Sequence, residues 1–129
     1  IIMSIKTVIS TANAPAAIGP YSQAVKANGF VFVSGQLPLD PCSGILSTAS
    51  VEEQTNLVMN NISAILKEAG SDMSKIVKTT IFVADLGNFA VINDAYGKFF
   101  EKNPPARACF QAAQLPKGAQ LEIEVIAVE

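Results

Sequence analysis

The residue best suited to bind a small anion is Arg107, the single arginine of the chain, which follows Pro104-Pro105 and begins a predicted strand. Its planar guanidinium matches a carboxylate through two parallel hydrogen bonds, and each charge-assisted bond contributes about 1.5 to 3 kcal/mol. The alternative is an ordinary surface or ion-pair residue, because exposed ion pairs contribute little. Arg107 is therefore the first candidate for substrate binding.

Glu122 is the candidate for proton transfer because it lies on a largely apolar predicted strand. Partial burial there raises the pKa of a carboxyl group and suits it to general acid–base catalysis. The alternative is that Glu122 and Glu124 form a solvated stripe, which alternation along a strand favours. Cys109 is interpreted as a small buried hydrophobe, because the chain has no histidine that could activate its thiol.

The composition disfavours several functional classes. Without histidine there is no Ser-His catalysis and no Cys/His zinc pattern, and the chain lacks the glycine-rich spacings that cradle nucleotide phosphates, so we expect no metal and no cofactor. The net charge is −2 and the basic residues are scattered, which disfavours nucleic acid as a partner. No apolar run approaches the ~20 residues of a membrane span.

Two features of the sequence indicate the cellular compartment of the protein. Residues 1–6 lack the basic and apolar segments of a signal peptide, and Cys42 and Cys109 are expected to stay reduced without forming a disulfide. Both features are typical of a cytoplasmic protein, with the mitochondrial matrix as an alternative.

Turn signals and hydrophobic periodicity predict a single α+β domain over 1–129. Asn28-Gly29 is typical of a two-residue hairpin turn, and Ser50 with Glu53 forms the sequence of a helix capping box. Asn88 is the expected cap of a second helix that ends before Pro104. The predicted strands cover 6–9, 24–27, 30–34, 76–84, 107–112 and 121–128, and the first helix covers 51–69.

This order of elements predicts a mixed six-stranded sheet with both helices on one face. In the last strand, alternate residues from Leu121 to Ala127 are apolar and suit the face under the helices. The other face also carries Ile126 and Val128, so it is only half polar. Because exposed apolar patches mark contacts with partner chains, we expect a homo-oligomer that buries this face.

Five segments together form a recognisable pattern: 14–24 (APAAIGPYSQA), 34–36 (SGQ), 76–83 (IVKTTIFV), 105–109 (PARAC) and 121–123 (LEI). The spacing from Arg107 to the Leu121-Glu122-Ile123 strand is the most specific feature. In these segments the chain resembles the Rid (YjgF) family of imine deaminases, also called the L-PSP endoribonuclease family, and the resemblance covers nearly the whole chain.

The resemblance implies a chorismate-mutase-like (YjgF-like) fold and a homotrimer with active sites between subunits. It implies that Arg107 binds a substrate carboxylate, helped by backbone groups at Gly35 and Cys109. It also places Tyr21, Ser34, Asn93 and Glu122 in the same pocket.

The activity that the resemblance implies is hydrolysis of 2-imino acids or their enamine tautomers to 2-keto acids and ammonia. Small 2-imino and 2-keto carboxylic acids are then the partners, with Glu122 activating water. Two alternatives remain at this stage: a ribonuclease or translation inhibitor, and a non-catalytic protein that binds small carboxylates.

Overall fold

The computed structural model describes residues 5–129, so the expectation about the first residues of the chain falls mainly on positions 1–4, outside the described part. The predicted architecture is confirmed: one mixed six-stranded sheet carries two helices. The strands are β1 (Thr7–Ile9), β2 (Ala24–Ala27), β3 (Phe30–Gln36), β4 (Ile76–Val83), β5 (Ala106–Gln111) and β6 (Leu121–Val128), and the helices are α1 (Val51–Glu68) and α2 (Phe89–Gly97).

The strand order across the sheet is β1-β2-β3-β6-β4-β5, and only the β4–β5 pair is parallel. The two parallel strands are joined through α2, as a parallel crossover requires. β5 therefore lies at one edge of the sheet, directly after α2 in the chain. The predicted β2–β3 hairpin is confirmed, with positive φ at both Asn28 and Gly29.

β3 extends two residues beyond the predicted strand over 30–34. Its register with β6 shifts between Val33 and Gln36, so Ser34 and Gly35 lie in an irregular, bulged part of the ladder. A bulge inserts a residue without ending the strand and re-aims the neighbouring backbone. Gly35 lies within this bulge.

The two helices differ in how well the sequence predicted their ends. The Ser50 Oγ accepts a hydrogen bond from the Glu53 N–H (3.2 Å), and Gly70 has a φ of 81° just after α1, as expected of a cap and a left-handed stop. The prediction for Asn88 was wrong, since its side chain makes no capping bond. A short 3₁₀ turn, Leu86–Asn88, runs directly into α2, and the Asp85 carboxylate accepts from the Gly87 N–H at its start.

α2 also ends earlier than expected, at Gly97 rather than just before Pro104. The amides of Phe99 and Phe100 donate to carbonyls three residues back, which tightens the chain into a turn. Both phenylalanines nevertheless pack against the core, as their helical spacing predicted.

The two faces of the sheet are very different. Under the helices, Leu121, Ile123, Val125 and Ala127 are almost completely buried, as predicted. The opposite face, called the open face below, is covered by no element of residues 5–129 and exposes large apolar side chains, which confirms the half-apolar second face. The exposed fractions are 56% for Val8, 38% for Phe30, 44% for Phe32 and 48% for Phe110.

None of the helices in residues 5–129 has the length and apolarity that crossing a bilayer requires.

Candidate functional site

Arg107 is positioned by the edge strand β5 and lies on the helix side of the sheet. It is directly across from Thr79 of β4 in the parallel ladder, and Thr79 is fully buried beneath α2. Because paired residues of neighbouring strands point to the same face, the Arg107 side chain runs along the sheet edge towards α2. The sequence prediction that this arginine opens a strand after Pro104-Pro105 is confirmed.

Three residues of α2 hold the guanidinium. Asn93 Oδ1 accepts a hydrogen bond from Arg107 Nη1 at 2.6 Å. The Arg107 Cζ lies 5.5 Å from the centre of the Phe89 ring and 5.3 Å from that of Tyr96, within the range of cation–π attraction. Within residues 5–129, no carboxylate lies within 4.0 Å of the guanidinium. The arginine is thus oriented, while its charge has no acidic partner in the described chain.

A groove of about 480 Å³ opens beside Arg107. Its walls are mainly aromatic and proline side chains, with polar groups only from Asn93, Tyr96 and the guanidinium. A cleft of this kind can hold a small molecule whose one anionic group meets the cation. The lining residues are Asn93, Tyr96, Gly97, Phe100, Pro104, Pro105 and Arg107.

Cys109 lies two residues beyond Arg107 on the same side of β5, across from the buried Ile81. Burial raises the pKa of its thiol, and the nearby positive charge of Arg107 only partly opposes this effect. The thiol is therefore protonated at neutral pH, which agrees with the interpretation of Cys109 as a non-nucleophilic residue.

Glu122 lies on the open face instead. It is across from Phe82 of β4, and Phe82 is across from Phe110 of β5, with the two rings 5.1 Å apart on the same face. Burial raises the pKa of the Glu122 carboxyl group, and the negative charge of Glu124 raises it further. Glu122 is half-buried, and such partial desolvation is the property expected of a catalytic carboxyl group.

Gly35 is in direct contact with Glu122. A Cβ atom at Gly35 would lie 2.8 Å from the Glu122 Cδ and closer still to one carboxylate oxygen. Only glycine leaves this space, so the bulge of β3 allows the Glu122 side chain to lie across the neighbouring strand.

Ser34 and Tyr21 lie around the same bulge. Ser34 Oγ donates a hydrogen bond to the Ser22 carbonyl at 2.6 Å, which ties β3 to the loop that carries Tyr21. Tyr21 is 49% exposed, and with Val8 of the open face it lines a second groove of about 440 Å³.

The predicted site residues therefore fall into two groups. The clamp group consists of Asn93, Arg107 and Cys109, on the helix side of the sheet edge. The second group is called the carboxyl group region because it contains the Glu122 carboxyl group. It lies on and around the open face and consists of Tyr21, Ser34, Gly35 and Glu122. Because Arg107 and Glu122 point to opposite faces of one sheet, a single chain does not bring them together.

Sequence reasoning missed one part of the clamp group. The sequence placed Phe89 and Tyr96 only in the predicted second helix and Thr79 only in a predicted strand. Their helical spacing places Phe89 and Tyr96 on the face of α2 that meets β5, but nothing in the pattern indicated contact with Arg107.

Among residues 5–129, no three His, Cys, Asp or Glu side chains lie close enough together to hold a metal ion.

Comparison with known proteins identifies the family. The model of the family described as "Endoribonuclease L-PSP" matches residues 11–129. The 2-iminobutanoate/2-iminopropanoate deaminases of Bos taurus and Homo sapiens are 49% and 47% identical to the chain, in each case over 97% of this chain and 91% of the relative.

Solved structures agree with the sequence relatives. Yeast Mmf1 superposes with a TM-score of 0.94 at 46% identity, covering 97% of this chain and 99% of that one. TdcF of E. coli, solved with bound serine, gives a TM-score of 0.91 at 44% identity over 95% of this chain and 98% of that one. The chain therefore belongs to the endoribonuclease L-PSP family, the Rid (YjgF) family that its motifs resemble.

Proposed function

We propose that this protein hydrolyses small 2-imino acids, such as 2-iminopropanoate, 2-iminobutanoate and their enamine tautomers, to 2-keto acids and ammonia. The observation that carries the proposal is the Arg107 guanidinium, which α2 orients beside a groove without supplying a carboxylate. The names of relatives at nearly half identity support the same substrates.

Arg107 has the geometry to bind the carboxylate that all these substrates share. One N–H of Nη1 is used by Asn93, and the remaining N–H groups of the fork are available for two parallel bonds to a ligand. The rings of Phe89 and Tyr96 restrict the guanidinium, while Arg107 stays exposed and therefore accessible to an anion. The serine bound in the TdcF structure is a ligand of similar size that also carries a carboxylate.

Glu122 is the proposed base. It accepts a proton from water as the water oxygen bonds to the imine carbon and the C=N π electrons move to nitrogen. That proton passes to the nitrogen and gives the carbinolamine. Glu122 then takes the hydroxyl proton and delivers it to the nitrogen as the C=O bond forms and the C–N bond breaks, so that ammonia leaves with the 2-keto acid. A raised pKa makes the carboxylate a stronger base for this step, and such assistance contributes about 10²- to 10⁴-fold.

The reaction needs Arg107 and Glu122 at one substrate, and the sheet separates them within a chain. We therefore propose a homotrimer in which the β5 edge of one subunit meets the open face of the next. The exposed apolar side chains of the open face support this assembly, because packing against another copy removes them from water. Each site then combines the clamp group of one chain with the carboxyl group region of its neighbour.

We also propose a reducing compartment, the cytoplasm, because Cys42 and Cys109 are both free thiols.

The test couples a serine or threonine dehydratase, which releases the imine, to detection of the 2-keto acid. The protein should accelerate keto-acid formation, and Arg107→Lys, which keeps the charge but loses the fork, should lower kcat/KM by about 10- to 100-fold. Lys67→Arg, the reverse exchange at an exposed position of α1, serves as the matched control.

Two parallel measurements separate the alternatives. If the parent gives no acceleration but binds 2-ketobutyrate in calorimetry, it is a carboxylate-binding protein and the deaminase proposal is wrong. If it instead cleaves RNA and Arg107→Lys leaves that cleavage intact, the ribonuclease alternative replaces the proposal.

A further inference from the structure

A pair of buried hydroxyl groups lies beneath the clamp group. Thr79 Oγ1 and Tyr96 Oη are 2.8 Å apart and hydrogen bonded, and the two residues are 0% and 4% exposed. Ile92, four residues before Tyr96 on α2, and Ile81, two residues after Thr79 on β4, are also completely buried. Phenylalanine and valine would fill the same space, so packing alone does not explain the two hydroxyls.

The position of this pair connects it to Arg107. Thr79 is the residue directly across from Arg107 in the parallel ladder. The centre of the Tyr96 ring lies 5.3 Å from the Arg107 Cζ. The hydroxyl group of the same ring is hydrogen bonded to Thr79, which fixes the ring to β4. Phe100 packs on the same ring at 4.9 Å. The ring thus has little freedom to turn away from the guanidinium.

An arginine on an edge strand needs such support. Its long side chain has many rotamers, and fixing it for a ligand costs conformational entropy unless the protein has already ordered it. Asn93 fixes one nitrogen only, so the guanidinium can still rotate about that hydrogen bond. A ring face held at a set angle restricts this rotation.

We propose that Tyr96, anchored by its hydrogen bond to Thr79, is a positioning residue that sets the plane of the Arg107 guanidinium for carboxylate binding. The effect on substrate rests on the proposed function, whereas the effect on Arg107 itself does not. The positive charge of Arg107 in turn acts on the Tyr96 hydroxyl, where it opposes the rise in pKa caused by burial.

The test compares Tyr96→Phe, Thr79→Val and the double variant. Each single change leaves one buried hydroxyl without a partner and should lower the melting temperature. The double variant replaces both hydroxyls by apolar groups of similar shape, so its melting temperature should return close to that of the parent. Ser71→Ala, which removes a buried hydroxyl that donates to the Val128 carbonyl at 2.6 Å, is the control for loss of a structural hydroxyl.

Two readouts then separate positioning from stability. Because the chain contains one arginine, the single arginine Nε–Hε signal in a nitrogen-15 NMR spectrum belongs to Arg107. The chemical shift of this signal depends on the position of the Tyr96 ring and can be measured without any ligand. In the double variant this signal should move, KM for 2-iminopropanoate should rise about fivefold, and kcat should stay within about twofold. Ser71→Ala should leave the signal and KM unchanged.

A double variant with the parent's arginine signal and the parent's KM overturns the proposal, because the hydroxyl pair then serves only the core. If the parent itself neither binds 2-ketobutyrate nor hydrolyses the imine, the deaminase proposal fails, and the shift of the arginine signal still decides whether Tyr96 positions Arg107.

Discussion

The clamp group and the carboxyl group region are built in opposite ways. The Arg107 guanidinium is held by polar and aromatic contacts from its own chain, through Asn93, Phe89 and Tyr96. The Glu122 carboxylate makes no side-chain hydrogen bond within residues 5–129 and is placed by close approach to Gly35. One half of the proposed site is thus complete in a single subunit, while the other half faces an uncovered sheet. Substrate binding and proton transfer should therefore respond differently to mutation.

The largest expected effect comes from Glu122→Gln. The amide keeps the shape of the side chain but cannot accept the proton from water, so kcat should fall by about 10²- to 10⁴-fold. Binding of 2-ketobutyrate should be nearly unchanged, because Arg107 and its partners are intact. Steady-state kinetics and calorimetry measure the two effects, and equal losses in both would show that Glu122 belongs to binding rather than to catalysis.

The second prediction tests whether the two regions meet across a subunit interface. Arg107→Lys chains keep Glu122, and Glu122→Gln chains keep Arg107. When the two variants are co-expressed and the mixed trimers are purified away from the homotrimers, one of the three interfaces in each joins the intact halves, so about a third of the parent activity should be recovered. Homotrimers of each variant, purified separately and assayed together at once, are the control.

Recovery in the mixed trimers requires that each site takes residues from two chains. If the mixed trimers are as inactive as the separate variants, Arg107 and Glu122 do not share a site, and the division of the site between subunits is wrong.

The third prediction concerns Gly35. A methyl group at this position overlaps the Glu122 carboxylate, so Gly35→Ala should push the carboxylate aside and lower kcat by about tenfold. The double variant Gly35→Ala/Glu122→Gln should lose no more activity than Glu122→Gln alone, because the methyl group acts through the carboxylate. A further loss in the double variant would point to direct contact between Gly35 and the substrate.

The sequence predicted the elements of the fold and the two candidate residues, but not the arrangement of those residues on the sheet. The sheet, both helices and the Asn28-Gly29 turn follow from local patterns, and Arg107 and Glu122 were identified as residues of unusual type for their strands. Their separation onto opposite faces depends on the register of β5 with β4 and of β4 with β6. Register between strands distant in sequence is a property of the folded sheet, and no local pattern contained it.

The missing capping bond of Asn88, the early end of α2 and the missed partners of Arg107 have the same origin. Asn88 has the right residue type for a cap, yet the preceding 3₁₀ turn determines its backbone conformation. Tyr96 has the spacing of a core residue and is one, but its ring also faces Arg107 because β5 returns next to α2. Periodicity reports which face of an element is apolar and not which side chain lies at the edge of that face.

The smallest expected effect is on the pH dependence of the carboxyl group region. Glu124 lies two residues from Glu122 on the same face of β6, and its negative charge helps to raise the pKa of Glu122. Glu124→Gln should therefore lower the pKa of Glu122, so that the catalytic base stays ionised at lower pH.

The acid limb of the kcat/KM profile should accordingly move to lower pH in Glu124→Gln, while activity on the plateau changes by less than about twofold. Lys78→Gln removes a charge on the same face, across from Ile126 and four residues along β6 from Glu122, so it should leave the limb in place and serves as the control. Binding of 2-ketobutyrate should be unchanged in both variants, because neither substitution touches the clamp group. An equal shift in Lys78→Gln would mean that the limb follows the stability of the open face and not the ionisation of Glu122.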